Sequence, residues 1–241
     1  MNIDVCTTAM PRPEIVDRTY RSFIENTNNI QWGDCYINVD PLPGKEGIDW
    51  PDRMEVVEVA KKYFQNVYHR FPDIPSYADA FNFVWSNAKS EIILNLEDDW
   101  ELVRPLDFNT IGGYFRANQN IYEVILRAYT YKYLCLVTSP SFLSRHFYHK
   151  IGGKLYKDHN PEWQIHHRQD MGLFIPNSKN CINPGRFFQV FPFVEKSENH
   201  VIVKDMGRAW MERTKYVRPQ MLNRRDKRYT KKVYFTKWLV K

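Results

Sequence analysis

Three consecutive carboxylates, Glu97-Asp98-Asp99, followed by Trp100, are the residues of this chain best suited to chemistry. They close a short apolar run, Ile92-Ile93-Leu94-Asn95-Leu96, of the kind that forms a buried strand. Gathering acids at a strand end is unfavourable unless a cation or strong donors offset the repulsion. In α/β proteins the carboxyl end of a strand is also where ligands bind. Hard oxygen donors there suit Mg2+ or Mn2+ shared with substrate phosphates. The competing reading is a solvated acidic turn after a core strand.

These acids need a scaffold, and the pattern around them supplies one. Residues 3–8 read as a strand, stopped by Thr7-Thr8-Ala9-Met10-Pro11-Arg12-Pro13. Pro13-Glu14 opens a helix to about residue 24, with Ile15, Val16, Tyr20, Phe23 and Ile24 as its apolar stripe. Residues 35–39 form a second strand ending at Asp40 and the turn Pro41-Leu42-Pro43-Gly44. A helix is expected over 51–64, with Met54, Val57, Ala60, Lys61 and Phe64 on one side, then a strand over 66–69. Ser76 is a cap for a helix over 77–88, which leads into the strand that carries the acids. This β-α-β-α-β-α-β order predicts a parallel, doubly wound half.

The second half is less regular. Strands are expected over 122–130, 133–138, 187–193 and 201–204. A helix over 141–151 would end at Gly152-Gly153, and a short one is expected over 162–168. With no internal repeat or low-complexity linker, residues 1–241 read as one α/β domain. Its parts are a ligand-binding half (1–100), a second half (101–210) and a basic, aromatic tail (211–241).

A chain of 241 residues with 43% hydrophobic and 15% aromatic content can bury a sizeable core. No run of about 18 apolar residues exists, so a transmembrane helix is not expected. Nor does the N-terminus show a basic region followed by an apolar stretch, so no secretory signal is expected. Cys6, Cys35, Cys135 and Cys181 are widely spaced without a C-x-x-C, which fits a reducing, cytoplasmic setting. The net charge of +6 is unevenly spread. From Arg208 onward Lys and Arg dominate, Glu212 and Asp226 are the only acids, and Tyr216, Tyr229, Tyr234, Phe235 and Trp238 are interleaved. Such a tail suits DNA or an anionic membrane surface, or else a solvated wrap whose aromatics dock on the core.

The serial order of these features resembles a nucleotide-sugar glycosyltransferase with the GT-A fold, over roughly residues 3–210. Val5 to Glu14 resembles the opening strand, threonine/proline turn and helix. Val39-Asp40 resembles the second strand, whose terminal acid contacts the base or ribose. Residues 77–82 resemble the helix before the metal strand, and Leu96 to Trp100 the D-x-D region, with Glu97 where the first Asp would stand. Val137 to Ser141, Phe147 and Ile151-Gly152-Gly153 resemble the acceptor-side loop and helix. Asn160-Pro161-Glu162-Trp163 looks like the segment that presents the catalytic acid. Lys204 to Trp210 sits where relatives carry a His-x-Gly-like motif; the His is absent, leaving Asp205 or His200 for that role.

The resemblance implies a Rossmann-like, mostly parallel sheet flanked by helices, and transfer of a sugar from a nucleotide diphosphate, UDP being the expected one. It implies Mn2+ or Mg2+ on Asp99, completed by Asp205. Thr7, Thr8, Arg12, Asp40, Asp79, Glu97, Asp98 and Arg208 would contact the donor. Glu162, with Asp170 in reserve, would be the base of an inverting reaction. The acceptor would be a glycan, a glycolipid or a modified DNA base. Each residue has a plainer alternative: Glu162 as a first-turn acid, Asp40 as a turn cap, Asp79 as a capping-box acid and Arg12 as a surface residue. A binding module that retains the fold is the alternative function. His146, His149, His159, His166 and His167 match no closed zinc spacing. No G-x-G-x-x-G or G-x-x-x-x-G-K loop exists, which disfavours dinucleotide redox enzymes and P-loop kinases. A nucleotidyltransferase would be expected to carry a Gly-rich loop after the first strand, and residues 7–14 contain no Gly.

Overall fold

A computed structural model describes residues 2–42, 50–117, 121–126, 140–150, 153–157, 161, 189–192, 202–214, 221–225 and 232–236. At 147, 150, 189–192, 221–225 and 232–236 it describes the backbone alone. In chain order the elements begin with β1 (Asn2–Ala9), α1 (Pro13–Asn26), β2 (Thr27–Asn28), β3 (Gln31–Val39) and α2 (Arg53–Lys61). They continue with β4 (Val67–Arg70), α3 (Tyr77–Asn87), β5 (Ile92–Glu97), β6 (Trp100–Leu102) and β7 (Leu106–Asp107). Next come α4 (Phe108–Ala117), β8 (Ile121–Ile125), β9 (Ser141–Ser144), α5 (Arg145–Lys150) and β10 (Gln189–Pro192). The last are β11 (Val203–Asp205), α6 (Gly207–Thr214), β12 (Met221–Arg225) and β13 (Lys232–Thr236).

A seven-stranded sheet in the order β10-β8-β9-β5-β1-β3-β4 forms the centre, parallel throughout except for β9. The fold class expected from sequence is therefore present: a mostly parallel sheet with helices on both faces. The central strands alternate between two buried faces. Ile3, Val5 and Ala9 of β1, Ile37 and Val39 of β3, and Leu94 and Leu96 of β5 pack with Val16, Tyr20 and Phe23 of α1 and Val56, Val59 and Ala60 of α2. Cys6, Tyr36 and Ile93 face the other way, against Phe81, Val84 and Trp85 of α3. Burial on both faces is why these strands read as near-continuous apolar runs. The chain adds β3 and β4 on one side of β1 and then returns to put β5 on the other. That reversal opens a crevice at the carboxyl ends of β1 and β5.

Three details differ from the sequence reading. The second helix starts at Arg53, because Asp52 accepts from Met54 N at 2.8 Å and Glu55 Oε1 accepts from Asp52 N at 3.0 Å, a closed capping box. Its buried side is Val56, Val57, Val59 and Ala60; of the expected stripe Val57, Ala60 and Phe64 are buried, whereas Met54 and Lys61 lie exposed. Residues 141–144, expected as helix, form β9, wedged antiparallel between β5 and β8. Phe142 serves one core and Leu143 the other, a two-residue alternation that sheet burial favours over helix. The helical part is α5 alone, and Gly153 has the left-handed φ of 65° expected of a helix stop. The β6–β11 pair and the helices α4 and α6 were not anticipated, and the basic tail contributes the antiparallel ribbon β12–β13. Among the described residues no helix is long and apolar enough to cross a membrane. Residues 127–138, the helix over 162–168, and Cys135 and Cys181 lie outside the described residues; Cys6 and Cys35 are buried free thiols.

The opposite end of the sheet is tied together by one carboxylate. Asp4, 4% exposed, accepts from Asp34 N (3.1 Å), Lys89 N (2.7 Å) and Ser90 N (3.0 Å), joining the entries to β3 and β5. Asp4→Ala orphans three backbone donors, each with a desolvation cost of about 1–3 kcal/mol when buried. The expected loss is ~2–4 kcal/mol, read as a lower urea midpoint at unchanged m-value. A midpoint within experimental error of wild type would show that water replaces the carboxylate without cost.

Candidate functional site

The crevice at the carboxyl ends of β1, β3 and β5 collects most of the acids singled out from sequence. Asp98 sits immediately after β5 and is almost wholly enclosed, at 4% exposure. Its N–H donates to Thr8 O (3.1 Å), and its carbonyl accepts from Thr19 Oγ1 (2.6 Å). Its Oδ2 accepts from Met10 N (3.0 Å) and Arg12 Nε (3.1 Å), and its Oδ1 pairs with Arg12 Nη2. Both carboxylate oxygens are thus engaged in holding the turn between β1 and α1. The α1 cap explains why. Arg12 occupies the cap position without a side-chain cap bond and Pro13 opens the helix, so the turn is held from outside by Asp98.

Arg12 is buried at 3% exposure, which overturns the surface alternative. Its Nη2 also reaches Asp99 Oδ2 at 3.2 Å, and its guanidinium lies over the Trp210 ring, 5.0 Å from the centroid. Burial works to lower the Arg12 pKa, and Asp98 and then Asp99 outweigh it, so the group stays charged. Asp99 is pushed up to about 6 by burial first, then by Asp98 and Asp205, with Arg12 opposing. Asp40, whose N–H donates to Ala9 O (2.9 Å), is also pushed up to about 6. Burial is again the main cause and Asp98 adds to it, against Asn38, Arg70 and Arg53. Asp98 and Asp99 thus share one buried guanidinium, while Asp40 is offset in part by Arg70 and Arg53.

Asp205 joins the cluster through a contact that no local pattern announces. β11 pairs with β6 so that Asp205 stands opposite Trp100, next to Asp99, while Met206 N donates to Asp99 O at 2.7 Å. Asp205 Oδ1 accepts from Gly207 N (2.8 Å) at the start of α6. Gly207 packs so tightly on Asp99 that an added Cβ would overlap the carboxylate. Glu97 accepts from Tyr77 Oη (2.6 Å) and Trp100 Nε1 (2.9 Å), which fixes both of its oxygens. Thr7 is turned into the core, where its Oγ1 accepts from Tyr20 Oη (2.9 Å); Thr8 is half-buried at the rim. Asp79 stands in the first turn of α3, where its N–H donates to the Ser76 cap (3.3 Å) and its carboxylate lies 3.9 Å from Lys157 Nζ. Arg208 is exposed in the first turn of α6. Glu162, Asp170 and His200 lie outside the described residues.

Trp210, Glu14 and Asn38 also belong to the site but were not singled out as site residues. Trp210 Nε1 donates to Glu14 Oε1 (3.1 Å). Asn38 donates to Asp40 Oδ1 (2.8 Å) and accepts from Arg70 Nη1 (3.1 Å). Alternation along β3 would have placed Asn38 beside Asp40. Nothing local could have brought Trp210 to Arg12. A cavity of about 470 Å³ lined by Tyr36, Tyr68, Phe83, Asn87 and Lys89 lies toward the amino ends of β4 and β5, away from these acids.

The donor set fits a hard divalent ion. Asp99 and Asp205 offer adjacent carboxylates with excess negative charge, and Mg2+-type ions commonly take one or two carboxylates plus phosphates and water. Among the described residues no group of three or more His, Cys, Asp or Glu side chains is gathered for a closed protein-only site.

The fold is the GT-A type found in nucleotide-sugar glycosyltransferases. The chain is similar in structure to the mannosyltransferase PcManGT from Pyrobaculum calidifontis in complex with GDP-Man and Mn2+, with a TM-score of 0.52 at 11% identity. That likeness covers 80% of this chain and 55% of the mannosyltransferase, so the chain spans about half of its length. It is equally similar to the CMP:2-keto-3-deoxy-manno-octonic acid synthetase complexed with CTP, with a TM-score of 0.51 at 12% identity over 88% of this chain and 96% of that one. No protein-family model and no curated protein sequence matches the chain.

A carboxylate whose folded pKa is raised destabilises the fold when ionised. The effect is absent below about pH 4, grows between pH 4 and 6, and is complete above 6. Asp99→Asn is therefore expected to stabilise the ligand-free protein by ~1–2 kcal/mol at pH 7.5, less than the full shift because the Arg12 contact weakens. The gain should hold from pH 7 to about pH 6 and then shrink toward pH 4 in melts across that range. A gain that did not vary with pH would locate its source elsewhere.

Proposed function

We propose that the chain is a metal-dependent glycosyltransferase acting on a nucleotide-diphosphate sugar, with UDP as the expected nucleotide. One observation carries the reading: at the switch point of a GT-A sheet, Asp98 and Asp99 share the buried Arg12 guanidinium, with Asp205 close enough to act on Asp99 and Asp40 close enough to feel Asp98. Residues 1–100 would bind the donor, 101–210 would face the acceptor, and 211–241 would be the basic tail. Asp40 would accept hydrogen bonds from the base or ribose. Arg12 would remain on Asp98 and hold the Thr8–Pro13 turn under the diphosphate. Because Thr7 already serves Tyr20, Thr8 and the turn backbone would make the direct contact. Glu97, held by Tyr77 and Trp100, would meet the ribose or sugar.

Asp99 and Asp205 would supply oxygens to Mn2+ or Mg2+, which when bound neutralises charge on the departing diphosphate. Arg208, exposed one residue beyond Gly207, would grip a phosphate, the geometry a guanidinium suits. Glu162, with Asp170 in reserve, would take the proton of the acceptor hydroxyl in an inverting reaction. The acceptor would be a glycan, a glycolipid or a modified DNA base, with the tail drawing the enzyme to DNA or to an anionic surface. The nucleotidyltransferase alternative shares the sheet but would be expected to have a Gly-rich loop at residues 7–14.

The test is a thermal-shift panel of UDP, GDP and CMP sugars, their diphosphates, and CTP, each with and without Mn2+. A ligand at about a hundred times its Kd adds ~2.7 kcal/mol of stability, an easily visible shift. The expected result is a Mn2+-dependent shift with one nucleoside diphosphate and its sugar, abolished by Asp99→Ala. A shift with CTP alone would replace the reading with nucleotidyl transfer. A shift independent of Mn2+ would favour a binding module, and none at all would end the proposal.

A further inference from the structure

The Arg12 guanidinium is held on three sides, and its third partner comes from 198 positions further along the chain. Its edge meets Asp98 through Nε and Nη2, while Asp99 receives Nη2 only. Its face lies on the indole of Trp210. That indole is itself fixed. Its Nε1 donates to Glu14 Oε1, which also takes Arg213 Nη2 at 3.2 Å. Trp50 packs against it with ring centroids 5.9 Å apart. Around it, Ile15, Met206 and Trp210 form a small apolar cluster, with Leu42, Trp50 and Met211 packed on it. This cluster fastens α6 over the start of α1 and the loop after β3, on top of the turn that Asp98 holds from below.

We propose that Trp210 is a positioning residue for this centre: its ring face keeps Arg12 committed to Asp98, so that Asp99 is only partly neutralised and retains capacity for a second cation. An arginine can choose between two adjacent carboxylates, and the choice sets which one remains available. The aromatic face decides it, because a cation is attracted to the ring quadrupole at one place and one orientation. Gly207, the first residue of the same helix, permits the close approach to Asp99. The α6 helix thus carries both the clamp on Arg12 and the wall against Asp99. The consequence for ligand binding rests on the nucleotide-sugar reading above; the clamp itself does not.

Two measurements on the full chain separate these. The first is solvent exchange of the Arg12 Nε–H by NMR without ligand, in wild type and in Trp210→Phe, Trp210→Met and Trp210→Ala. The second is the affinity of UDP and GDP with and without Mn2+ in the same proteins. Phe keeps an aromatic face and Met keeps apolar bulk without one, so packing and the clamp are distinguished even if the Ala variant does not fold. The expected result is slow exchange in wild type and Trp210→Phe, and at least tenfold faster exchange in Trp210→Met. The Mn2+-dependent part of nucleotide affinity should fall about tenfold in Trp210→Met and recover in Trp210→Phe. Equal exchange in Met and wild-type proteins would overturn the proposal. If wild type bound no nucleotide while exchange followed the expected order, the nucleotide reading would fail and the clamp would stand.

Discussion

The buried pair of Arg12 and Asp98 is the joint on which this end of the molecule depends. Removing two charges from water is costly, and such pairs persist where extra hydrogen bonds and good geometry compensate. Here the compensation is dense. Asp98 takes three donors on its carboxylate, its main chain bonds to Thr8 and Thr19, and Arg12 adds a second carboxylate and an indole face. The pair therefore connects β1, β5, α1 and α6 at one point. A turn made of Met10-Pro11-Arg12-Pro13 has few backbone donors of its own, so an external anchor is what gives it one shape.

Around that joint, stability is traded for charge. Asp40 and Asp99 both sit where ionisation is disfavoured, because burial removes water and neighbouring acids repel. A purely structural crevice would gain by replacing one of them with a neutral side chain. Perturbed carboxylates concentrated in a crevice mark it as a candidate functional site. The rest of the chain leans the other way in charge. From Arg208 onward the sequence is strongly basic while the remainder is net acidic, so charge is unevenly divided along the sequence.

The first half was legible in the sequence because its signals are local. Ser76 caps α3, Pro13 opens α1, and the apolar run before Glu97 is a strand buried on both faces. Periodicities of two and 3.6 residues are properties of a few consecutive side chains, and they survive whatever the rest of the chain does. Even there the face of α2 was legible only in part, with Val57, Ala60 and Phe64 buried as expected. Met54 and Lys61 fit the helical spacing, but the position of β3 and α1 decides which side is buried. Residues 141–144 show the stronger override: a segment that reads as the start of a helix becomes β9 because two strands flank it.

For the site, the sequence by itself determined which acids exist and that three of them end a core strand at a crevice. The tertiary structure decided their separate roles. Asp98 became an internal counter-ion because Arg12 turned inward, Asp99 gained Asp205 because β11 paired with β6, and Trp210 reached Arg12 because α6 folded back over α1. Those outcomes depend on pairings between residues 86 or more positions apart. No local pattern encodes such pairings; they emerge only when all the apolar faces are buried together and each buried charge finds its partner.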